Sequence, residues 1–258
     1  MLHLNRQRAE AFGDYAEQYD RARPTYPNAL VDRVCPVKGW RLLDVGCGTG
    51  KAARQFAARG YEVLGIEIDE RMAAIARRHG IAVEVAPFET WDAAGRNFDL
   101  VVSGQAWHWV DPSCGPAKAA DVLTATGRLA AFWNYEHASD EVLGAAIEAA
   151  YEIFAPELEG SGIGRHGARR HDAQIAGHVA SIESCGRFAS CSVDRFPWTW
   201  QLRPDELVAL VRTHSGVALL PEERRTAFLS RLANLVGSSG DTIALACEAV
   251  CIVANKVE

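Results

Sequence analysis

The chain has 258 residues, of which 48% are apolar and 23% charged. This composition is typical of a folded globular protein, and the length suits one large α/β domain or a core domain with an inserted cap. The formal net charge is −6, which argues against the basic face that a nucleic-acid partner requires.

The seven cysteines are scattered and form no C-x-x-C pair. This spacing predicts reduced thiols rather than a zinc or redox motif, and we expect no bound metal. No apolar stretch approaches the roughly 18 residues of a membrane span, and the opening segment is too polar for a signal peptide. We therefore expect a cytoplasmic protein without a membrane partner.

Residues 1–36 are predicted to form a lid helix ahead of the main fold. Tyr15, Tyr19 and Arg23 are spaced four residues apart, so a helix would carry all three on one face. The alternative is an amphipathic helix that docks for stability alone.

Residues 37–134 alternate apolar runs with helical patterns, which predicts a mostly parallel sheet with crossover helices on both faces. Residues 135–186 have a helical pattern and are predicted to form a cap insertion. Residues 187–258 are predicted to complete the core sheet with two antiparallel strands. The predicted strands are 41–45, 61–66, 81–85, 98–103, 127–133, 190–196 and 249–254, and the predicted helices outside the cap are 51–59, 70–79, 204–213 and 221–236.

A glycine-rich turn follows the first predicted strand and opens a helix. It reads Asp44-x-Gly46-x-Gly48-x-Gly50, and glycine there permits a tight turn and a close approach of the backbone to a ligand. The dinucleotide pattern G-x-G-x-x-G would place its third glycine at Lys51 instead. An acidic residue, Glu67, ends the second strand, where it could accept hydrogen bonds from ribose hydroxyls.

This turn together with Glu67 resembles motif I and the following acidic residue of the class I S-adenosylmethionine (SAM)-dependent methyltransferases. The resemblance covers residues 10–135 well and the rest by general architecture. It implies a Rossmann-like sheet of order 3-2-1-4-5-7-6 with strand seven antiparallel. It also implies that the glycine turn faces the methionine half of SAM while Glu67 holds the ribose.

The resemblance extends to weaker positions. Met72 and Phe88 match residues that border the adenine, although both could be plain core residues, and Pro87 stands where many relatives have Asp. Gln105 matches a position near the sulfonium. The segment Phe12–Pro27 is similar to the opening of small-molecule methyltransferases; Tyr15, Tyr19 and Arg23 there could contact SAM, with a tyrosine ring facing the sulfonium and Arg23 pairing with the carboxylate.

The segment after the fourth strand contains Trp107, His108 and Trp109, where an acceptor would meet the methyl group. The tryptophans are predicted to line a substrate pocket, together with Trp133 and Tyr135, and His108 is a candidate base. Alternatively, the tryptophans pack the core and His108 bonds a backbone carbonyl.

Arg165, Arg169 and Arg170 lie in a predicted loop. Their guanidinium groups could recognise an acidic acceptor, or the loop could simply be a solvated basic segment. Similarity to the trans-aconitate methyltransferase-like group favours a small-molecule acceptor methylated on a carboxylate or hydroxyl, by a monomer or homodimer. The alternatives are a non-catalytic SAM-binding protein and an NAD-dependent oxidoreductase. Ser103-Gly-Gln-Ala106, with the acidic charge, argues against a nucleic-acid methyltransferase.

Overall fold

A seven-stranded sheet with the order β3-β2-β1-β4-β5-β7-β6 forms the centre of the protein. The structure, a computed structural model, describes residues 13–35, 37, 39–158, 162–163 and 171–257. The strands are β1 Arg41–Val45, β2 Glu62–Glu67, β3 Ala82–Val85, β4 Phe98–Gly104, β5 Leu123–Ala138, β6 Ser192–Leu202 and β7 Ile243–Asn255. The predicted strand order is confirmed.

The first five strands are parallel, and β7 runs antiparallel to both of its neighbours, β5 and β6. The single reversed strand is therefore also confirmed. Three strands are longer than predicted, because β5, β6 and β7 pair with one another over eleven residues at each interface. Tyr135–Ala138, predicted as the start of the helical cap, instead continues β5 through this pairing.

Ten α-helices connect and cover the strands among the described residues. They are α1 Ala16–Ala22, α2 Asn28–Val34, α3 Lys51–Ala57, α4 Glu70–Arg78, α5 Gly115–Val122, α6 Glu141–Phe154, α7 Asp172–Ser184, α8 Pro204–Arg212, α9 Ser215–Ala218 and α10 Glu222–Gly237. None of the described helices has both the length and the apolar character needed to cross a bilayer.

The sheet is buried on both faces, as expected for strands with crossover helices on either side. Leu42 and Leu43 are both fully buried, but they belong to different apolar clusters because neighbouring strand residues point to opposite faces. Phe56 of α3 packs in the cluster of Leu42. Ile182 of α7 packs in the cluster of Leu43, so this helix covers the sheet.

A third apolar cluster joins α6, α8, α9 and α10, which we call the cap layer. Ile147, Leu207, Val217 and Phe228 are buried within it. The cap layer thus draws on two separate stretches of sequence, one before and one after α7. The domain boundaries given above stay a prediction.

Candidate functional site

A cavity of about 540 Å³ opens at the carboxyl ends of β1, β2 and β4. This edge of a parallel sheet is where ligands of open α/β folds bind, and cavities of roughly 300–1,000 Å³ accommodate small molecules. Ten residues predicted to contact cofactor or substrate line it, namely Tyr19, Arg23, Asp44, Gly46, Gly48, Glu67, Met72, Phe88, Gln105 and Trp109. We call it the cofactor cavity.

The glycine turn forms the floor of the cofactor cavity. Gly46, Gly48 and Gly50 have φ angles of 68°, 56° and 81°, in the left-handed region that glycine tolerates best. A Cβ on Gly46 would lie 2.5 Å from the Cβ of Ala106, so the turn packs tightly against the segment after β4. Gly50 does not line the cavity; it precedes α3, and a Cβ there would lie 3.2 Å from that of Ala76.

Glu67 joins the end of β2 to the glycine turn. Its Oε2 accepts a hydrogen bond from the Gly48 amide at 2.8 Å, and its Oε1 accepts from the amides of Ile68 and Asp69 at 2.9 and 3.0 Å. A carboxylate has about four acceptor sites, so three bonds leave room for one from a ligand. Burial raises the pKa of Glu67.

Asp44 is the least satisfied group in the cofactor cavity. It is buried, and neither carboxylate oxygen has a hydrogen-bond partner among the described residues. Burial, with a smaller contribution from the charge of Glu67, raises the pKa of Asp44 to about 7. A buried carboxylate without a donor is costly, so Asp44 is suited to a ligand that brings a positive charge or N–H groups.

The opposite end of the cofactor cavity is apolar. Met72 and Phe88 are buried and line it beside Ile66, Val85 and Pro87. Flat apolar groups of a ligand could lie against these side chains.

Of the three residues predicted from the N-terminal segment, two line the cofactor cavity and one does not. Tyr19 and Arg23 line it, with the guanidinium 5.3 Å from the centre of the tyrosine ring. Tyr15 precedes α1 and instead contacts Arg225 of the cap layer, 5.9 Å from its ring. The single-face prediction is wrong for this reason: α1 has only seven residues, so Tyr15 lies before the helix and Arg23 after it.

Arg23 also ties the N-terminal segment to the cap layer. Its Nε donates to Thr213 Oγ1 at 2.9 Å, and its Nη2 donates to the Thr213 carbonyl at 3.0 Å. Thr213 follows α8 and is buried. The guanidinium of Arg23 is therefore held in place through its Nε and Nη2 atoms.

A second cavity of about 250 Å³ adjoins the cofactor cavity. Five residues line both, namely Tyr19, Arg23, Gln105, Trp109 and Asn134. Gln105 sits at this junction with φ of 59° and donates from Nε2 to the Asn134 carbonyl at 2.9 Å. A left-handed glutamine is uncommon and often marks a functional position. We call this space the acceptor cavity.

The residues predicted for the substrate pocket separate into lining and core positions. Trp109 and Tyr135 line the acceptor cavity, and Tyr135 stacks on His171 at 4.1 Å. Trp107 and Trp133 are buried and line neither of the two cavities. Trp107 packs against Phe88, which fits the core interpretation of this tryptophan.

His108 lines the acceptor cavity, but its ring is already oriented by Trp133. The indole Nε1 donates to His108 Nδ1 at 3.0 Å. Because an indole nitrogen is a donor only, the neutral imidazole carries its proton on Nε2. The predicted base role would require this bond to open.

Sequence analysis missed several residues of the acceptor cavity, among them Asn134, Glu136 and His214. Asn134 and Glu136 lie two residues apart on β5, so a longer predicted strand would have placed both on one face. His214 comes from the segment after α8, and no local pattern marks it. Arg165, Arg169 and Arg170, predicted to recognise an acidic acceptor, lie outside the described residues.

A family match, a relative similar over nearly the whole chain and a relative similar over part of it all indicate a methyltransferase. Residues 43–131 match the methyltransferase domain family. An uncharacterized methyltransferase of Mycobacterium tuberculosis is 31% identical over 253 residues, covering 95% of each chain. Trans-aconitate 2-methyltransferase of Mycobacterium marinum is 34% identical over 102 residues, covering 39% of this chain and 36% of the relative.

The fold has a counterpart among solved structures. A putative type II methyltransferase from Anaeromyxobacter dehalogenans superposes with a TM-score of 0.66 at 21% identity, covering 91% of this chain and 97% of the other. With the full-length relative and the sheet order, these findings show that the chain belongs to the class I SAM-dependent methyltransferases. SAM is the cofactor of this class.

Proposed function

We propose that this methyltransferase acts on a small molecule and transfers the methyl group to a carboxylate or hydroxyl oxygen. The observation that carries the proposal is the acceptor cavity of about 250 Å³ beside the cofactor cavity. Its volume is below the range of roughly 300–1,000 Å³ for drug-sized ligands, which suits a compact acceptor. The partial similarity to a trans-aconitate 2-methyltransferase supports oxygen as the methylated atom.

The residues of the cofactor cavity fit SAM in four places. We assign the remaining acceptor site of Glu67 to a ribose hydroxyl and the apolar end around Met72 and Phe88 to the adenine. Asp44, which has no donor among the described residues, is assigned to the methionine ammonium. Arg23 is assigned to the methionine carboxylate, with Tyr19 beside it.

When bound, SAM supplies a methyl carbon activated by the sulfonium. The protein's part is to align the acceptor with that carbon and to exclude water. Tyr19, Gln105 and Trp109 lie where the two cavities meet, so we assign them to alignment. His108, with its proton on Nε2, is assigned as a hydrogen-bond donor to the acceptor.

Isothermal calorimetry tests the cofactor assignment directly. SAM and S-adenosylhomocysteine should bind at micromolar or tighter affinity, whereas NAD should give no heat of binding. Glu67→Ala should weaken SAM binding about tenfold or more, because it removes a charge-assisted hydrogen bond.

The matched control is Glu62→Ala, at the exposed start of the same strand, which should leave the affinity unchanged. Wild-type affinity in Glu67→Ala would refute the ribose role. Failure of SAM to bind the wild-type protein would refute the proposed function as a whole.

A further inference from the structure

We propose that Glu136 is the catalytic proton acceptor of this enzyme and that the acceptor cavity takes a small molecule with a hydroxyl nucleophile. This inference rests on the proposed function and narrows it, because a carboxylate acceptor needs no base and a hydroxyl does. It depends on the position of Glu136, on its loose pairing with His214 and on the charges around it.

The alternation of side chains along β5 determines which way Glu136 faces. Residues two apart on a strand point to the same face and are separated by about 7 Å. Asn134 lines both cavities, and Glu136, one step further along β5, lines the acceptor cavity. Glu136 therefore faces the space next to the junction, on the side away from the cofactor cavity.

Among the described residues, the carboxylate of Glu136 is paired only loosely, with the imidazole of His214. Its side chain is nine-tenths buried, with 10% of its surface exposed, and its Oε1 lies 3.7 Å from His214 Nε2, longer than an ordinary hydrogen bond. Burial, and to a smaller extent the charge of Arg23, lowers the pKa of His214 against the opposing effect of Glu136, which disfavours a charged imidazole beside this carboxylate. A nearly buried carboxylate is thus left to be satisfied by a ligand.

The surrounding charges favour a hydroxyl over a carboxylate in this position. Among the described residues that line the acceptor cavity, Arg23 is the one guanidinium, and it already donates to Thr213. A carboxylate acceptor beside Glu136 would place two like charges together, whereas a hydroxyl offers Glu136 a donor at close range. Asn134 Oδ1, also buried without a partner, gives a second acceptor at the junction.

The step balances with these groups alone. As the hydroxyl oxygen bonds to the methyl carbon, the electron pair of the carbon–sulfur bond remains on sulfur and the hydroxyl proton passes to Glu136. The products are a methyl ether, S-adenosylhomocysteine and a protonated Glu136, which returns its proton to solvent when the ether leaves.

The test uses the whole 258-residue chain with radiolabelled SAM and two sets of small compounds, matched in size, at millimolar concentration. One set bears only hydroxyls, as phenols and alcohols, and the other bears only carboxylic acids. Methyl transfer and, separately, binding of each set to the protein loaded with S-adenosylhomocysteine are measured by scintillation counting and ligand-observed NMR. The variants are Glu136→Gln, which preserves shape, and Glu248→Gln on the adjoining strand β7, whose carboxylate pairs with Arg195 at the surface.

We expect hydroxyl compounds to bind and to be methylated by the wild type and by Glu248→Gln. Glu136→Gln should lose about a hundredfold or more in turnover and should bind the hydroxyl set more weakly, with unchanged SAM affinity. Transfer confined to the carboxylic acids, wild-type turnover in Glu136→Gln, or no binding and no transfer of the hydroxyl set would each overturn the inference. All these results presuppose SAM binding, so failure of the proposed function is recognised separately by calorimetry.

Discussion

At the residue scale, the two acids of the cofactor cavity differ in what they already bind. Glu67 accepts three backbone amides and so shapes the glycine turn before any ligand arrives. Asp44, on the neighbouring strand, has no such donors among the described residues. Glu67 is therefore part of the preformed site, whereas Asp44 is destabilising until a ligand satisfies it.

This difference predicts a pH dependence of stability. The pKa of Asp44 rises from an ordinary 3.8 to about 7 in the folded protein, so between these values the folded state keeps a proton that the unfolded state releases. The contribution of Asp44 to stability is thus fully present below about pH 4 and is lost as the pH rises through about 7. Each pKa unit corresponds to about 1.4 kcal/mol.

Asp44→Asn should remove this dependence. Urea unfolding of the ligand-free protein, followed across the same pH range, should show a smaller loss of stability with rising pH in the variant than in the wild type. Asp241→Asn, at an exposed loop position, is the control and should keep the wild-type slope. Equal slopes for Asp44→Asn and the wild type would mean that Asp44 titrates normally.

Single residues also show where sequence reasoning succeeds. Asp44, Glu67, Gly46 and Gly48 could be placed at one cavity because a strand end and a turn give them fixed spacing, whereas their contacts with SAM stay a prediction. Glu136 and His214 could not be placed, since they meet only when β5 and the segment after α8 fold together. For Tyr15, the sequence predicted a placement that the structure does not have. Its spacing suggested one helical face with Tyr19 and Arg23, but the helix begins after Tyr15.

At the scale of elements, the turn between β1 and α3 combines backbone strain with access to a ligand. Gly48 has a left-handed φ of 56°, and a Cβ there would meet only Met72, at 3.4 Å. The protein itself thus has room for a side chain at Gly48. The space that such a side chain would fill belongs to the cofactor cavity.

Gly48→Val should therefore abolish SAM binding while leaving a folded protein. Gly60→Val is a matched control, because Gly60 also has a left-handed φ, of 87°, and a Cβ there would meet no atom within 4 Å. Both variants should lose roughly 1–2 kcal/mol of stability from the backbone conformation, but Gly60→Val should bind SAM normally in calorimetry. SAM binding by Gly48→Val would contradict the placement of the cofactor at this turn.

The lengths of the strands could not be predicted from local sequence patterns. The predicted fifth strand covered the apolar stretch 127–133, whereas β5 extends from Leu123 to Ala138. The added residues include Asn134 and Glu136. Because both are polar, a prediction based on apolar runs ends the strand before them. Pairing with β7 extends β5 there, and this pairing is made across more than a hundred residues of chain.

At the scale of the whole molecule, the two cavities lie between three parts of the chain. The sheet supplies their floor, the N-terminal segment contributes Tyr19 and Arg23, and the cap layer is tied in through Thr213. The alternation of strands and helices predicted a mostly parallel sheet, and the resemblance to class I methyltransferases implied its strand order. The cap layer was less so, because its helices come from both sides of α7 and meet only in space.

Ligand binding should accordingly stabilise the fold. At a hundred times its dissociation constant, S-adenosylhomocysteine adds about 2.7 kcal/mol, and each kcal/mol raises Tm by about 2–4 °C in proteins of this size. Thermal unfolding followed by circular dichroism should therefore show an increase of about 5–10 °C.

NAD should leave Tm unchanged, and Glu67→Ala should show a reduced increase at the same concentration of S-adenosylhomocysteine. An equal increase with NAD would argue for a general nucleotide site rather than one selective for the SAM family of ligands.

The place of β7 in the sheet has a consequence for biosynthesis. β7 is the last strand along the chain, yet it lies between β5 and β6. While the polypeptide is still emerging from the ribosome, the flank of β5 is open and β6 has not yet gained its neighbour in the sheet. Nascent chains halted before residue 243 would expose unpaired strand edges, which attract other strands and invite aggregation. Chaperones that shield such edges would therefore be expected to act on the nascent chain until β7 has been synthesised.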